Sequence, residues 1–201
     1  KASRVIDPAA VIEAEAEHPY VSRGGVKLTG ALDHFEIDPM DCICVDVGAS
    51  TGGFTDVLLK RGARLIHAVD VGHDQFHVSL RNHPLVRLRE GCDARNLSRD
   101  DFEELPSLLV VDVSFISLTL VLPKILQLAD SKARLVALIK PQFEVGRAAL
   151  KKGLVREDSD RQDAVGRIAG VIDEQGWAVR GVIPSPIAGG DGNREYLLAA
   201  E

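Results

Sequence analysis

Short apolar runs alternate along the chain with stretches in which apolar positions recur every three or four residues. A run without polar positions, such as Leu108-Leu109-Val110-Val111, is typical of a strand that is buried on both faces of its sheet. The predicted strands are residues 42–47, 64–71, 86–90, 108–114 and 134–140. The predicted helices are residues 54–61, 74–82, 118–129 and 158–174. This alternation predicts an α/β fold with a doubly wound, mostly parallel sheet.

The two ends of the chain depart from this alternation. The last two apolar runs, residues 178–183 and 196–200, have only a Pro/Gly-rich stretch between them, residues 184–193. We expect these runs to pair at one side of the sheet, with an antiparallel edge strand. Residues 1–20 show little periodic structure and are predicted to be a linker or arm. The folded domain is predicted to comprise residues 21–201.

A glycine-containing loop joins the first predicted strand to the first predicted helix. It reads Asp46-Val47-Gly48-Ala49-Ser50-Thr51-Gly52-Gly53-Phe54-Thr55-Asp56. A buried strand that turns sharply into a helix places backbone N–H groups beside a ligand, and glycine permits the close approach. The second strand is followed by Asp70, about twenty residues further on, where a ribose diol would need an acceptor. Both features predict a cofactor that contains a nucleoside.

The spacing of the glycines narrows the choice of cofactor. A dinucleotide loop reads G-x-G-x-x-G, but here Gly48 is followed by Ser50, Gly52 and Gly53. A Walker loop would end in Gly-Lys-Ser/Thr, which is missing. A nucleoside with an amino-acid tail, such as S-adenosylmethionine, remains, and the antiparallel pair at the end is typical of Rossmann-like Class I methyltransferases. The alternative is a tight strand-to-helix turn that binds no ligand.

Composition limits the class of protein. The chain has 201 residues and 45% hydrophobic content, which suits one domain with a sizeable core. No apolar run approaches the 18 or so residues that cross a bilayer, and no N-terminal signal pattern is visible, so we expect no membrane association. Cys42, Cys44 and Cys92 lie in or beside predicted strands, which indicates buried thiols in a reducing cytoplasm.

Metal binding is not expected. His73 and His77 are four residues apart on a predicted helix and could share a metal, but no third ligand is evident nearby. We therefore interpret them as surface histidines.

The charge distribution leaves open whether one basic cluster contacts nucleic acid. The net charge of −6 argues against a nucleic-acid partner for the chain as a whole. The acidic residues are concentrated in two groups that we interpret as solvated surface: Glu13, Glu15, Glu17, and Asp100, Asp101, Glu103, Glu104. The basic residues Arg147, Lys151, Lys152 and Arg156 form a separate cluster. That cluster is either solvated surface or a nucleic-acid contact.

Lys140 is the strongest candidate for a catalytic group. It ends an apolar strand and precedes Pro141, which fixes its backbone and directs its amine from the sheet edge. Burial favours the neutral amine, whereas a carboxylate nearby favours the ammonium form. Asp112, at the end of the neighbouring strand, is placed to orient it. A lysine balanced in this way can accept a proton from a weakly acidic hydroxyl; the alternative is a structural ion pair.

These residues resemble a known family. Lys27, Asp112, Lys140 and Glu195 resemble the Lys-Asp-Lys-Glu tetrad of the FtsJ-like ribose 2′-O-methyltransferases. Five phrases are similar to the TlyA branch, also called the hemolysin A family: residues 20–28 (YVSRGGVKL), 48–55, 111–117 (VDVSFIS), 139–144 (IKPQFE) and 192–196 (GNREY). They span almost the whole chain in the family's order, which makes the combination specific.

The resemblance implies methyl transfer from S-adenosylmethionine to a ribose 2′-hydroxyl, on a cytidine of ribosomal RNA in ribosomal subunits. Lys140 would be the general base, and Lys27 and Glu195 would position the ribose. The expected cofactor-binding residues are Asp46, Gly48, Ser50, Thr51, Gly52, Gly53, Phe54, Asp70, Asp93 and Asp112. Asp93 is the expected partner of the adenine amino group. No metal is required, because the methyl group is already activated.

The resemblance also bears on domain organisation and on the alternatives. Full-length members of this branch carry an N-terminal RNA-binding domain, so residues 1–20 would link that domain to the methyltransferase domain. One alternative is a non-catalytic cofactor-binding module that assists ribosome assembly; another is a small-molecule methyltransferase. A membrane-lytic role is disfavoured, because no strongly basic amphipathic helix or secretion signal is visible.

Overall fold

The computed structural model describes residues 18–201. Most of the predicted arm, including Glu13, Glu15 and Glu17, lies outside the described residues. The strands are β1 (Ile43–Val47), β2 (Leu65–Val69), β3 (Val86–Arg89), β4 (Leu108–Val111), β5 (Arg134–Ile139), β6 (Leu150–Lys151), β7 (Leu154–Val155), β8 (Val179–Pro184) and β9 (Tyr196–Ala200). The α-helices are α1 (Gly24–His34), α2 (Gly53–Lys60), α3 (Val78–Arg81), α4 (Leu118–Leu126), α5 (Pro141–Glu144) and α6 (Asp158–Glu174).

Seven strands form one sheet in the order β3-β2-β1-β4-β5-β9-β8. Strands β1 to β5 are parallel to one another, and β9 is antiparallel to both β5 and β8. The predicted antiparallel pair is therefore confirmed. The strand at the edge is β8, however, and the antiparallel strand β9 lies one position inside it. Strand β9 is hydrogen-bonded to β5 on one side and to β8 on the other.

Apolar side chains cover both faces of the sheet, as the doubly wound prediction requires. On one face, Leu118 and Ile125 of α4 pack with Ile168 and Ile172 of α6. On the other face, residues of α1 and α2, among them Leu28, pack against β1, β4, β5 and β9. The central strands β4 and β5 are almost fully buried, which explains their unbroken apolar sequences. The molecule thus has the three layers of an α/β fold.

Helix α1 is an element that the sequence pattern did not predict. It begins at Gly24-Gly25, and glycine disfavours helix by about 1 kcal/mol per residue relative to alanine. Packing compensates, because Leu28, Ala31 and Leu32 are buried. A Cβ on Gly25 would lie 2.4 Å from the Tyr20 ring, so glycine allows the preceding segment to cross close to the helix.

The helix predicted over residues 74–82 is wrong in most of its length. Only Val78–Arg81 are helical, because Asp74 has φ +57° and His77 adopts an extended backbone and caps α3. His73 and His77 therefore do not share a helical face. The strands predicted over residues 64–71 and 108–114 also end early, at Val69 and Val111. The residues that follow leave the sheet and form the loops of the candidate site.

Candidate active site

The carboxyl ends of β1, β2, β4 and β5 meet at one edge of the sheet, where ligands bind in folds of this type. The glycine loop lies there, with Gly48 at φ +83° and Gly52 at φ +92°. A Cβ on Gly48 would lie 2.3 Å from the carbonyl oxygen of Asp112, so only glycine lets the loop after β1 touch the end of β4. Strand order reverses between β1 and β4, and the crevice of the fold opens at this point.

Asp70 holds the glycine loop against the end of β2. Its Oδ2 accepts a hydrogen bond of 2.7 Å from the Ser50 backbone N–H, and its Oδ1 accepts one of 2.6 Å from the Gly72 N–H. Ser50 itself has φ +46°. Each carboxylate oxygen has a further lone pair, which leaves Asp70 able to accept from a ligand hydroxyl.

A cavity of about 520 Å³ opens beside these residues. It is lined by the ends of β1, β2 and β4 and by the turn that follows β3. Five of the predicted cofactor-binding residues line it: Gly48, Ser50, Asp70, Asp93 and Asp112. The remaining lining is mostly apolar and includes Val69, Val71, Ala94, Val113, Ile116 and Val121. Hydrogen-bond acceptors at the strand ends, next to an apolar wall, are the lining that a nucleoside needs.

Asp93 follows β3 and lines this cavity. Arg95 pairs with it, with 2.6 Å between Nη2 and Oδ2. The hydrogen bonds from the Arg95 side chain hold the pKa of Asp93 below its usual range. Asp93 is therefore ionised at neutral pH and acts as an acceptor.

A smaller recess of about 120 Å³ adjoins the cavity. Its lining includes four further predicted residues: Lys27, Thr51, Gly53 and Phe54. The two spaces have Gly48, Ser50 and Asp112 in common. A group bound in the cavity can therefore meet a group that enters through the recess.

Two predicted cofactor-binding residues, Asp46 and Gly52, line neither space. Asp46 is completely buried within β1, and its Oδ2 accepts a hydrogen bond of 2.6 Å from the Thr55 hydroxyl. Burial raises the pKa of Asp46 to about 7. Gly52 faces Phe76 and Leu80 and is the N-cap residue of α2, in the left-handed conformation. Both residues shape the glycine loop from beneath.

The four tetrad residues form two ion pairs. Lys140 Nζ lies 2.6 Å from Asp112 Oδ1 and donates a hydrogen bond of 2.7 Å to the Ser114 hydroxyl. Lys27 Nζ donates to Glu195 Oε2 at 2.5 Å, and this pair is buried. Lys27 and Asp112, one from each pair, both line the recess.

Sheet register explains why residues so distant in sequence meet. Strand β4 pairs with β5, which places the loop that carries Asp112 beside Lys140. In the antiparallel pairing of β5 with β9, Ile139 lies opposite Tyr196, so one further step places Lys140 opposite Glu195. Helix α1 then brings Lys27 to Glu195 from the face of the sheet.

Three residues of the site were missed by sequence reasoning. Ser114 contacts Lys140, and Phe115 lies in the same loop with φ +63° and a side chain that is 92% exposed. Its ring packs against Phe143 with 5.2 Å between centroids. Glu144 is buried, and its Oε1 accepts a hydrogen bond of 2.9 Å from the Leu118 N–H. The phrases at residues 111–117 and 139–144 contain all of them, but only the fold shows that these phrases touch.

Metal-binding clusters and membrane-spanning helices are both missing from residues 18–201. Within this range, no three or more His, Cys, Asp or Glu side chains are grouped so that they could hold a metal ion. No helix in the same range has the length and apolarity that a membrane crossing requires.

Comparison with known proteins agrees with the fold. The model of the FtsJ-like methyltransferase family matches residues 20–201. The 16S/23S rRNA (cytidine-2′-O)-methyltransferase TlyA from Mycobacterium tuberculosis is 44% identical over 199 residues, which are 98% of this chain and 74% of that protein. Hemolysin A from Brachyspira hyodysenteriae is 43% identical over 188 residues, 92% of this chain and 78% of that protein. A solved structure from Streptococcus thermophilus superposes with a TM-score of 0.90 at 44% identity, covering 94% of this chain and 69% of that one.

The chain therefore belongs to the FtsJ-like methyltransferase family. It spans between 64% and 78% of the length of the curated relatives that it matches. The predictions of a Class I methyltransferase fold, of an enzyme of this family and of S-adenosylmethionine as its methyl donor are confirmed.

Proposed function

We propose that this chain transfers a methyl group from S-adenosylmethionine to the ribose 2′-hydroxyl of a cytidine in ribosomal RNA. The observation that carries the proposal is the meeting of two lysine–carboxylate pairs, Lys140–Asp112 and Lys27–Glu195, beside a cavity suited to a nucleoside. The nucleotide and the RNA are inferred from the name of the M. tuberculosis relative.

The cavity has the chemistry that the methyl donor needs. Asp70 would accept from the ribose diol, and Asp93 would accept from the adenine amino group. When bound, S-adenosylmethionine supplies a sulfonium methyl group that is already activated for transfer. The protein therefore has to align the methyl group with the 2′-hydroxyl and to remove the proton of that hydroxyl.

Lys140 would act as the general base, a role that needs its neutral amine at the moment of transfer. Its Nζ would take the proton of the 2′-hydroxyl as that oxygen bonds to the methyl carbon, and the methyl–sulfur bond would break to leave neutral S-adenosylhomocysteine. Asp112 and Ser114 hold the amine in place through contacts of 2.6 Å and 2.7 Å. Asp112 also stabilises the ammonium ion that results, since opposite charges at this separation attract strongly in a site shielded from water.

Lys27 and Glu195 would position the ribose. The amine of Lys27 has hydrogens to donate beyond the one engaged by Glu195, and Lys27 lines the recess. Glu195 orients the buried amine of Lys27 and is its counterion.

RNA capture is a separate question from chemistry. We propose that residues 1–20 connect the methyltransferase domain, residues 21–201, to an N-terminal RNA-binding region, as the family resemblance implies. The net charge of −6 supports this division, because a domain that held RNA by its own overall charge would be basic. Ribosomal subunits are the proposed partner and the cytoplasm the proposed location.

Transfer of tritiated methyl groups to ribosomal subunits tests the proposal. We expect the label in alkali-resistant dinucleotides, because a 2′-O-methyl group blocks alkaline cleavage. A version of the chain extended at its N-terminus should have the lower KM. If the chain binds the cofactor but neither version labels RNA, it is the non-catalytic module instead.

A further inference from the structure

A separate cleft, whose lining includes Arg194, the residue before Glu195 of the tetrad, is not used by the proposed chemistry. It has a volume of about 260 Å³ and is formed by the hairpin of β6 and β7 and by the loop before β9. Its lining residues are Leu154, Val155, Arg156, Arg161, Gly192, Asn193 and Arg194.

Buried hydrogen bonds hold the two walls of this cleft together. Asn193 is 2% exposed; its Oδ1 accepts a bond of 3.0 Å from the Val155 N–H, and its Nδ2 donates one of 2.9 Å to the Gly153 carbonyl. From below, Arg161 Nη1 donates to the Val155 carbonyl at 2.5 Å. These buried hydrogen bonds fix the shape of the cleft, which therefore does not depend on exposed side chains.

The charge of the cleft favours an anion. Three guanidinium groups line it, and the carboxylate of Asp158 is the one acidic group that contacts any of them within residues 18–201. Asp158 pairs with Arg161 and stays 3.9 Å from Arg194 Nη1. Arg156 is exposed and makes no ion pair in the described part of the chain. Exposed guanidinium groups match the geometry of a phosphate, which they bind in bidentate fashion.

The position of the cleft ties it to the reaction centre. Arg194 directly precedes Glu195, whose carboxylate holds Lys27. In RNA, the phosphodiesters on both sides of a nucleotide are close to its ribose. A phosphate bound by Arg194 would therefore belong to the same nucleotide or to its neighbour.

We propose that this arginine cleft, formed by Arg156, Arg161 and Arg194, binds a backbone phosphodiester of the RNA next to the methylated ribose. This inference rests on the proposed function and deepens it. The cleft would fix the register of the strand without reading its sequence, because phosphate contacts position and base contacts specify. It also assigns part of the basic cluster predicted from sequence to a nucleic-acid contact, in a chain with a net negative charge.

The test compares two double variants that remove the same charge. Arg156→Ala/Arg194→Ala changes the cleft, whereas Lys132→Ala/Arg180→Ala removes two cations from the amino ends of β5 and β8, at the opposite edge of the sheet. Binding of each protein to ribosomal subunits is measured by filter retention over a range of salt concentrations. KM and kcat for methyl transfer and the Kd for S-adenosylmethionine are measured in parallel.

We expect the cleft variant to bind subunits about 10- to 100-fold more weakly than the wild-type protein. Its slope of log Kd against log salt should fall by about 0.7 to 0.9, the value for the loss of one phosphate contact. The Kd for the cofactor should be unchanged, and the control variant should keep the wild-type slope. Arg156→Lys/Arg194→Lys should restore the slope but only part of the affinity, because lysine does not make the bidentate contact.

Equal binding and equal slopes for the cleft and control variants would overturn the inference. So would a loss confined to kcat, because that result would mean that the arginines act only through Glu195. If the cleft variant loses affinity and slope relative to the control variant but the wild-type protein transfers no methyl group, the proposed function fails and the phosphate site stands.

Discussion

At the scale of single residues, the site depends on charges that are buried and paired. Lys27 and Glu195 have side chains that are 11% and 3% exposed, and each is the counterion of the other. A buried pair of this kind adds little net stability, but removal of one partner leaves an uncompensated charge in the interior. The same is true to a smaller degree of Lys140 and Asp112, whose side chains are 11% and 19% exposed.

Glu195→Gln should therefore destabilise the protein by about 3 kcal/mol, because it leaves Lys27 without a counterion. Urea unfolding at neutral pH measures this change. Lys27→Met/Glu195→Gln should recover most of the lost stability, because no buried charge remains, yet it should not recover methyl transfer. If the single and double variants are equally unstable, the pair does not have the coupling that its geometry indicates.

Asp46→Asn should change the dependence of stability on pH. The pKa of Asp46 is raised from 3.8 to about 7, so its neutral form suits the folded state and its ionised form does not. The contribution of Asp46 to stability is present below pH 3.8 and is lost as the pH rises to about 7. Its full loss corresponds to about 4 kcal/mol as an upper bound.

The asparagine variant should accordingly be more stable than the wild-type protein at pH 8 and no more stable at pH 4. Thermal unfolding of both proteins over this range tests the prediction, with Asp100→Asn, an exposed aspartate, as the matched control. A difference in stability that does not vary with pH would show that Asp46 titrates normally.

At the scale of elements, the loop between β4 and α4 carries Ser114 and Phe115 and is fastened by Glu144. The Glu144 carboxylate accepts from the Ser117 hydroxyl at 2.5 Å and from the Leu118 N–H at 2.9 Å. Because α5 follows Lys140 directly, this contact ties the turn after the proposed base to the loop that holds its partner. The negative charge also favours the N-terminus of α4.

Glu144→Ala should cost about 2 kcal/mol of stability, because it leaves a helix-terminal N–H unpaired and opens a small cavity. It should also speed hydrogen exchange of the amides of residues 113–118 and slow methyl transfer, with little effect on cofactor affinity. Glu144→Gln, which keeps one acceptor, should have a smaller effect on each quantity. Unchanged exchange in the alanine variant would mean that the loop is held by other contacts.

Helices and strands were predictable from sequence where hydrophobic burial alone determines the pattern of residues. The central strands β4 and β5 were predictable from their apolar runs, since burial on both faces leaves little room for polar residues. Helix α1 was not predicted, because its two leading glycines oppose helix and only packing against α2 and the sheet stabilises it. The helix predicted from residue 74 failed at Asp74, whose left-handed backbone no periodicity reveals.

The site was predictable only in part for a related reason. The pairing of Lys140 with Asp112 was predictable, because their strands were expected to be neighbours in the sheet. The pairing of Lys27 with Glu195 depends on α1 and on the place of β9 inside the sheet, neither of which periodicity supplies. The hydrogen bond from the Thr55 hydroxyl to Asp46 was not predicted, because periodicity does not show which side chains meet beneath the glycine loop.

At the scale of the whole molecule, the proposed binding and reaction sites are concentrated at one edge of the sheet, while the net negative charge is a property of the whole chain. The cofactor cavity, the tetrad recess and the arginine cleft all lie at the carboxyl edge of the sheet, whereas the net charge of −6 belongs to the chain as a whole. Local positive charge at the reaction edge can orient a polyanion while the remaining surface repels nonspecific contacts. Sustained affinity for RNA would then depend on the N-terminal region that we propose.

The central claim is that Lys140 performs the proton transfer in a site that binds its cofactor independently of that lysine. Lys140→Met, of similar length and without charge, tests it most directly when single-turnover transfer to ribosomal subunits and S-adenosylmethionine affinity are measured on the same sample. We predict a loss of 10²- to 10⁴-fold in the transfer rate with a cofactor Kd within about threefold of the wild-type value. Transfer at the wild-type rate would contradict the account, and so would a parallel loss of cofactor binding.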